Sequence, residues 1–367
     1  MDSNTPPYGE KMEMTSASRA KSSKTQKSTK RGFEPRILAL CCNWCSYAGA
    51  DLAGTSRLKI PPNLRVIRVN CTGRIDPMFI LQALEGGADG VLISGCHEGD
   101  CHYVEGNIHS KKRFDFFKKI LNAMGMGDRI EFVHVSAAEG EKWAQINREF
   151  IDKIKNLGPT PIKDVSNPTK IAIDDKHSRK DKIHELLVSI AKRLNYTQEK
   201  PMPFKPEEVV EGYGFPKRDP EKCIGCYACY NVCPEDAIRI EDVKNKRRYG
   251  TLHAHCLVCA ECEKVCPQEA ITIAPGFELL SFLYNEPVWE FDVGLQKCSI
   301  CNEYFNPTPF CDELKDVISS KVPREKLDEM KMPYNPYTTC PDCKRHMMAQ
   351  TFTHISHPKM KESSKTK

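Results

Sequence analysis

The sequence lacks any run approaching the ~18 apolar residues that a membrane-crossing helix needs, so no membrane span is expected. Its opening stretch, MDSNTPPYGEKMEMTSASRAKSSKTQKSTKRG, lacks the apolar centre of a secretory signal. Residues 1–34 also hold almost nothing large and apolar to bury, which predicts a disordered tail. There is no Walker motif, no GxGxxG after a predicted strand and no pair of catalytic carboxylates in a recognisable setting. These absences argue against a complete enzyme in this chain alone. The basic residues lack interleaved aromatics, and the net charge of +5 is spread over 367 residues, so no nucleic-acid partner is expected. A reducing, cytoplasmic setting is expected.

Cysteine, by contrast, is abundant. Nineteen are present, and most fall in CxxC groups, the spacing of metal ligands rather than of scattered disulfides. CIGCYACYNVCP and CLVCAECEKVCP each spell C-x2-C-x2-C-x3-C-P, the bacterial ferredoxin run in which three cysteines serve one cluster and the fourth serves the other. Two-residue gaps let a turn wrap three thiolates around one face of a cubane, and the proline turns the chain away. One [4Fe-4S] cluster is therefore assigned to Cys223, Cys226, Cys229 and Cys266, and the second to Cys256, Cys259, Cys262 and Cys233. The stretches DAIRI and EAITI follow the two quartets at the same offset, which predicts paired strands in a pseudo-symmetric α+β 2[4Fe-4S] ferredoxin domain over residues 221–275. Zinc in two four-cysteine sites is the alternative, disfavoured because zinc sites seldom use three cysteines in such close succession.

Residues 35–157 alternate short apolar runs with helical stretches. RILALC, LRVIRVNC, GVLISGC and RIEFVHV predict four strands. Asp76-Pro77 opens a helix, PMFILQALE, closed at Gly86-Gly87, and EGEKWAQINREFIDKIKNLG predicts another. This alternation predicts a parallel, flavodoxin-like sheet in an α/β domain. Its cysteines follow strand one (Cys41, Cys42, Cys45), end strands two and three (Cys71, Cys96) and occupy the loop beyond (Cys101). Open α/β sheets collect ligands at those strand ends. Cys41 alternates away from Cys42 and is expected inside the sheet. Cys42, Cys45, Cys71, Cys96 and Cys101 remain as candidate ligands of a metal cluster, most simply a [2Fe-2S] cluster, which takes four of the five. Buried inert thiols and redox-active thiols are the alternatives. His97 and His102 are read as holding backbone groups rather than as ligands, and Gly95, Gly99 and Gly106 suit a loop approaching a cluster.

CCNWCSYAGADLAGTSRLKIPPNLRVIRVNCTGRIDP, followed by GADGVLISGCHEGDCHYVEGN, closely resembles the delta subunit of the methyl-viologen-reducing, F420-non-reducing hydrogenase, over residues 35–157. The resemblance implies an iron–sulfur subunit of anaerobic metabolism that passes electrons between a hydrogenase or formate dehydrogenase and the flavin-containing subunit of heterodisulfide reductase. It also implies a [2Fe-2S] cluster on the same five candidate cysteines. The departure is in length, since a ferredoxin and a further module follow where the family's chain normally ends.

Residues 158–220 read as a linker with one possible amphipathic helix, KDKIHELLVSIAKRL. Residues 276–350 carry CSIC and CPDC on either side of a charged, helical insert. Cys298, Cys301, Cys340 and Cys343 fit a tetrahedral site, structural zinc in a small zinc-ribbon-like module, with rubredoxin-like iron as the alternative. Cys311 is expected to be a buried thiol. From APGFELLSFLYNEP onward this module resembles the C-terminal part of the ferredoxin-like subunits of formate hydrogenlyase and related hydrogenase complexes. Residues 351–367 are expected to form a polar tail. The rival to an electron-transfer subunit is a self-contained FMN-dependent, ferredoxin-fused oxidoreductase. Its flavin phosphate would need a Ser/Thr-rich loop after strand one, where CCNWCSYAGAD stands.

Overall fold

The computed structural model describes residues 32–162, 179–197, 201–323, 325–326 and 334–356. The expected N-terminal tail up to residue 31, part of the expected linker, part of the charged insert and the last residues from 357 lie outside the described residues.

Strand β1 (Ile37–Cys42), helix α1 (Ser46–Thr55), β2 (Leu64–Val69), α2 (Pro77–Glu85), β3 (Gly90–Gly95), α3 (Gly106–Ala123), β4 (Ile130–His134) and α4 (Gly140–Leu157) alternate along the N-terminal part. The four strands are parallel, in the order β2-β1-β3-β4. The central strands β1 and β3 are covered on both faces, which is why ILALCC and GVLISG are continuous apolar runs. Alternation along β1 still sorts its side chains. Ile37, Ala39 and Cys41 pack with Trp143, Phe150 and Ile154 of α4, while Leu40 joins Ile80 and Leu84 of α2 and Phe117 of α3. Helix α2 begins where the Asp76 carboxylate accepts the Met78 N–H at 2.9 Å, with Pro77 in the first position. The strand order reverses between β1 and β3, and an open α/β sheet places its ligands at the carboxyl ends on either side of that point.

Helix α5 (Arg179–Leu194) presents Ile183, Leu186, Leu187 and Ile190 at helical spacing, all buried. It lies on α2, where the buried Glu85 carboxylate meets the Ser189 hydroxyl and the Arg193 guanidinium. The chain continues through β5 (Pro203–Phe204), β6 (Gly214–Arg218), α6 (Ala228–Val232), β7 (Ile238–Val243), β8 (Lys246–Thr251), α7 (Glu261–Lys264), β9 (Ile271–Pro275), β10 (Phe277–Glu278) and α8 (Leu279–Tyr284). Phe116 of α3 meets the rings of Tyr213, Phe277 and Phe204 at centroid distances of 5.1, 5.2 and 5.4 Å. One core thus runs from the parallel sheet through α5 into the second half of the chain. Helix α5, within the stretch read as a linker, is part of the core, because its apolar side chains find partners in α2 and α8.

β6 pairs antiparallel with β9, and β7 with β8. DAIRI and EAITI therefore contribute strands with separate partners rather than pairing with each other, since the turn at Lys244-Asn245 folds β7 back onto β8. Strand β11 (Val288–Lys297) adds to β8, and β12 (Tyr304–Pro307) adds to β11. This sheet crosses residue 275, where the sequence suggested a boundary between modules. Helices α9 (Thr308–Lys321) and α10 (Pro341–Ser356) follow. Helix α10 extends into the stretch expected as a polar tail, where no proline or glycine interrupts residues 351–356. No described helix is long and apolar enough to cross a membrane.

Leu187→Ala, at the centre of the α2–α5 joint, is expected to cost about 2–5 kcal/mol. A lowered urea midpoint would show it, and an unchanged midpoint would mean that α5 is not part of the common core.

Candidate metal centres

Five N-terminal cysteines converge from the ends of β1, β2 and β3, the start of α1 and the loop before α3. The Sγ atoms of Cys42, Cys45 and Cys96 all lie within 4.8 Å of one another, with Cys42 and Cys96 3.8 Å apart. Cys71 and Cys101 form a second pair, also at 3.8 Å. Thiolates held tetrahedrally at ~2.3 Å from one metal ion stand ~3.8 Å apart, so both pairs have the spacing of two ligands on one ion. All five are buried and free. Cys41 lies on the opposite face of β1, among the residues of α4, where burial pushes its thiol up to about 12.

Protons are held unevenly within the group. A hydrogen bond from the Cys45 thiol brings Cys42 down to about 5, and the same bond holds Cys45 up. Burial pushes Cys96 up to about 11 and also raises Cys71. Burial acts on Cys101 as well, but the N–H groups of Tyr103, Asn107 and Gly106 outweigh it and leave that thiol below its ordinary value. A cation bound among five sulfurs so placed would let them ionise together.

Of the three glycines singled out in the sequence, Gly106 makes the close approach. A Cβ there would stand 2.6 Å from Cys71 Sγ and 3.5 Å from Cys101 Sγ. Gly95 sits against Thr72, and Gly99 turns through φ +87° with open space around it. His97 Nε2 lies 2.7 Å from the Glu139 carboxylate, and His102 stacks on Trp44 at a centroid distance of 3.8 Å. Neither imidazole joins the sulfur group.

The two ferredoxin runs line two separate cavities. Cys223, Cys226, Cys229 and Cys266 line one, and Cys256, Cys259, Cys262 and Cys233 line the other, each partly open to solvent. The chain thus crosses between them, one cysteine of each run reaching the other cavity. The runs wind alike, with positive φ at Gly225 and Tyr227 in the first and at Val258 and Ala260 in the second. A β-branched residue in that region is strained, so the second loop holds Val258 against its preference. Cys233 Sγ accepts the Ala237 N–H and Cys266 Sγ accepts the Ala270 N–H, both at 3.2 Å.

Two buried cations that no sequence motif marks adjoin these cavities. Arg218 pairs with Glu290 through Nη1, while its Nε and Nη2 are buried without a hydrogen-bond partner, and its charge acts on the Cys229 thiol. Lys180 donates through Nζ to the Cys256 carbonyl oxygen at 2.6 Å, and burial pushes its ammonium down to about 8. Neither has a local signal in a sequence with 54 lysines and arginines. The orphaned N–H groups of Arg218 and the cysteine-lined cavities fit anionic iron–sulfur clusters.

At the C-terminal end, the Sγ atoms of Cys298, Cys301, Cys340 and Cys343 all lie within 4.8 Å of one another, with Cys301 and Cys340 3.8 Å apart. Cys298 Sγ accepts the N–H groups of Cys340 at 3.3 Å and Ile300 at 3.5 Å. Its thiol is raised by burial, but the N–H groups of Cys340, Cys301 and Ile300 prevail and bring it down to about 6. A set of four sulfurs so close together fits a structural tetrahedral ion. Cys311, in α9, is buried outside this group.

Two family models match the chain: methyl-viologen-reducing hydrogenase, delta subunit, over residues 37–158, and a 4Fe-4S dicluster domain over residues 222–270. The vhc iron-sulfur subunit of the F420-non-reducing hydrogenase of Methanococcus voltae is 47% identical over 133 residues, 36% of this chain and 92% of that protein. The iron-sulfur subunit of the F420-non-reducing hydrogenase of Archaeoglobus profundus is 46% identical over 128 residues, 35% of this chain and 93% of that protein. One subunit of the ferredoxin/F(420)H(2)-dependent CoB-CoM heterodisulfide reductase of Methanosarcina acetivorans is 48% identical over 126 residues, 34% of this chain and 16% of that protein. With its sulfur-lined crevice and these matches, the chain belongs to the methyl-viologen-reducing hydrogenase delta-subunit family, joined in one polypeptide to a ferredoxin-type 4Fe-4S domain.

Proposed function

We propose that this chain is an electron-transfer subunit that carries single electrons between a hydrogenase or formate dehydrogenase and a heterodisulfide-reductase-type flavoprotein. The observation that carries the reading is the set of cysteine-lined sites, the N-terminal sulfur group and the two crossed cavities, in two halves of the chain that share a common core. Relatives named as hydrogenase subunits and as a heterodisulfide reductase subunit each match about a third of the chain, which supports both sides of the exchange.

In this reading the two cavities hold [4Fe-4S] clusters on the crossed quartets. The N-terminal group holds a [2Fe-2S] cluster, with Cys71 and Cys101 on one iron and two of Cys42, Cys45 and Cys96 on the other. Cys298, Cys301, Cys340 and Cys343 hold zinc in a zinc-ribbon-like module. Bound clusters supply one-electron transfer. The chain's residues bury the thiols, aim N–H groups at the sulfurs and exclude water. The strand order supports a flavodoxin-like sheet. A flavin phosphate is not favoured there, because Ser46, which follows the β1 cysteines, is buried and donates to the Ser94 carbonyl oxygen at 2.7 Å.

Metal and sulfide analysis with EPR on anaerobically purified protein is expected to give about ten irons, a [2Fe-2S] signal beside two [4Fe-4S] signals, and about one zinc. About eight irons without a [2Fe-2S] signal would sink the N-terminal assignment. Mixing the dithionite-reduced protein with a heterodisulfide reductase flavoprotein is expected to bleach the flavin absorbance, and an unchanged flavin would count against the partner. Cys71→Ser or Cys101→Ser should remove about two irons and leave about eight. Gly106→Ala should lower the same occupancy by displacing Cys71 Sγ, and wild-type iron in that variant would show that the close approach does not matter. Cys298→Ser should release zinc while the [2Fe-2S] signal persists.

A further inference from the structure

Lys180 lies 76 residues before Cys256 in sequence, yet its ammonium reaches that residue's carbonyl oxygen. It is buried against the rings of Tyr213 and Phe282, 5.2 and 6.0 Å from their centroids. Among the described residues, no carboxylate stands within ion-pair distance of it. The adjacent Asp181 acts on it only at longer range. His184 and His253, buried nearby, are held neutral by burial. An unpaired buried ammonium is costly unless a negative charge faces it. The Cys256 quartet is where that charge would be.

The cation beside the other quartet is different in kind. Arg218 acts on Cys229, but its charge is balanced by Glu290 in direct contact. A net positive charge beside one of two like clusters eases the addition of an electron to that one. Helix α5 also reaches Asp76, in the segment that follows Cys71. Arg179, next to Lys180, pairs with Asp76, while Arg113 donates to the Gly73 carbonyl oxygen, and the Gly73 N–H reaches Cys71 Sγ at 3.3 Å.

We propose that Lys180 is a positioning residue for charge, holding the reduction potential of the cluster on Cys233, Cys256, Cys259 and Cys262 above that of the cluster on Cys223, Cys226, Cys229 and Cys266. The inference rests on the reading that both quartets hold [4Fe-4S] clusters. That cluster then holds the electron preferentially, and one electron leaves it as one enters the N-terminal centre, or the reverse.

The test is an anaerobic redox titration of the full chain followed by EPR, with iron content measured on each sample. Wild type should show two [4Fe-4S] midpoints. In Lys180→Gln, which keeps a donor for the Cys256 carbonyl and removes the charge, the higher midpoint should fall toward the lower. The expected change is about tenfold in the ratio of reduced to oxidised cluster, or about 59 mV for one electron. Lys180→Arg should stay at the wild-type values. Equal shifts of both midpoints, no shift, or loss of iron from Lys180→Gln would overturn the proposal and leave Lys180 as a structural support. Fewer than about eight irons in wild type would instead sink the cluster reading beneath it.

Discussion

Thiolates repel one another, and a buried thiolate is costly, yet this fold gathers sulfurs into four small volumes and leaves all of its cysteines free. In the proposed reading a shared cation reconciles those facts, and metal binding then contributes directly to folding. Much of the architecture follows from this demand. Parallel strands end together so that Cys42, Cys71 and Cys96 meet, and the start of α3 dispenses with a side chain at Gly106 so that Cys71 has room. The CxxC loops accept positive φ, even at Val258, so that N–H groups and sulfurs face inward.

Much of this was legible in the chain because the constraints are local. Continuous apolar runs mark β1 and β3, Asp76-Pro77 marks the start of α2, and period-two alternation separates Cys41 from Cys42. The crossed cavities have the linings that the ferredoxin spacing implied. CSIC and CPDC meet despite the long insert because each CxxC turn offers two sulfurs to one side.

What escaped the sequence depends on tertiary contact. KDKIHELLVSIAKRL has an apolar stripe, but its partners in α2 and α8 are far away in the chain, so the stripe alone could not separate a linker helix from a core helix. The pairing of β8 with β11 joins stretches assigned to different modules, and no local pattern announces a register between them. Arg218 and Lys180 look like ordinary surface cations until burial removes them from water. The pairing of Cys71 with Cys101 likewise emerges only when the loop before α3 folds back over the strand ends.

Because Phe116, Phe204, Tyr213 and Phe277 interlock, the parallel-sheet half and the ferredoxin half have no hinge at that joint. A carrier domain on a free tether must swing and collide with its acceptor, so its throughput depends on tether length and solvent viscosity. Here the gap between centres is set once, when the chain folds. In the proposed reading, internal passage of an electron is then a matter of tunnelling across a constant distance, insensitive to viscosity, and diffusion enters only where outside partners dock.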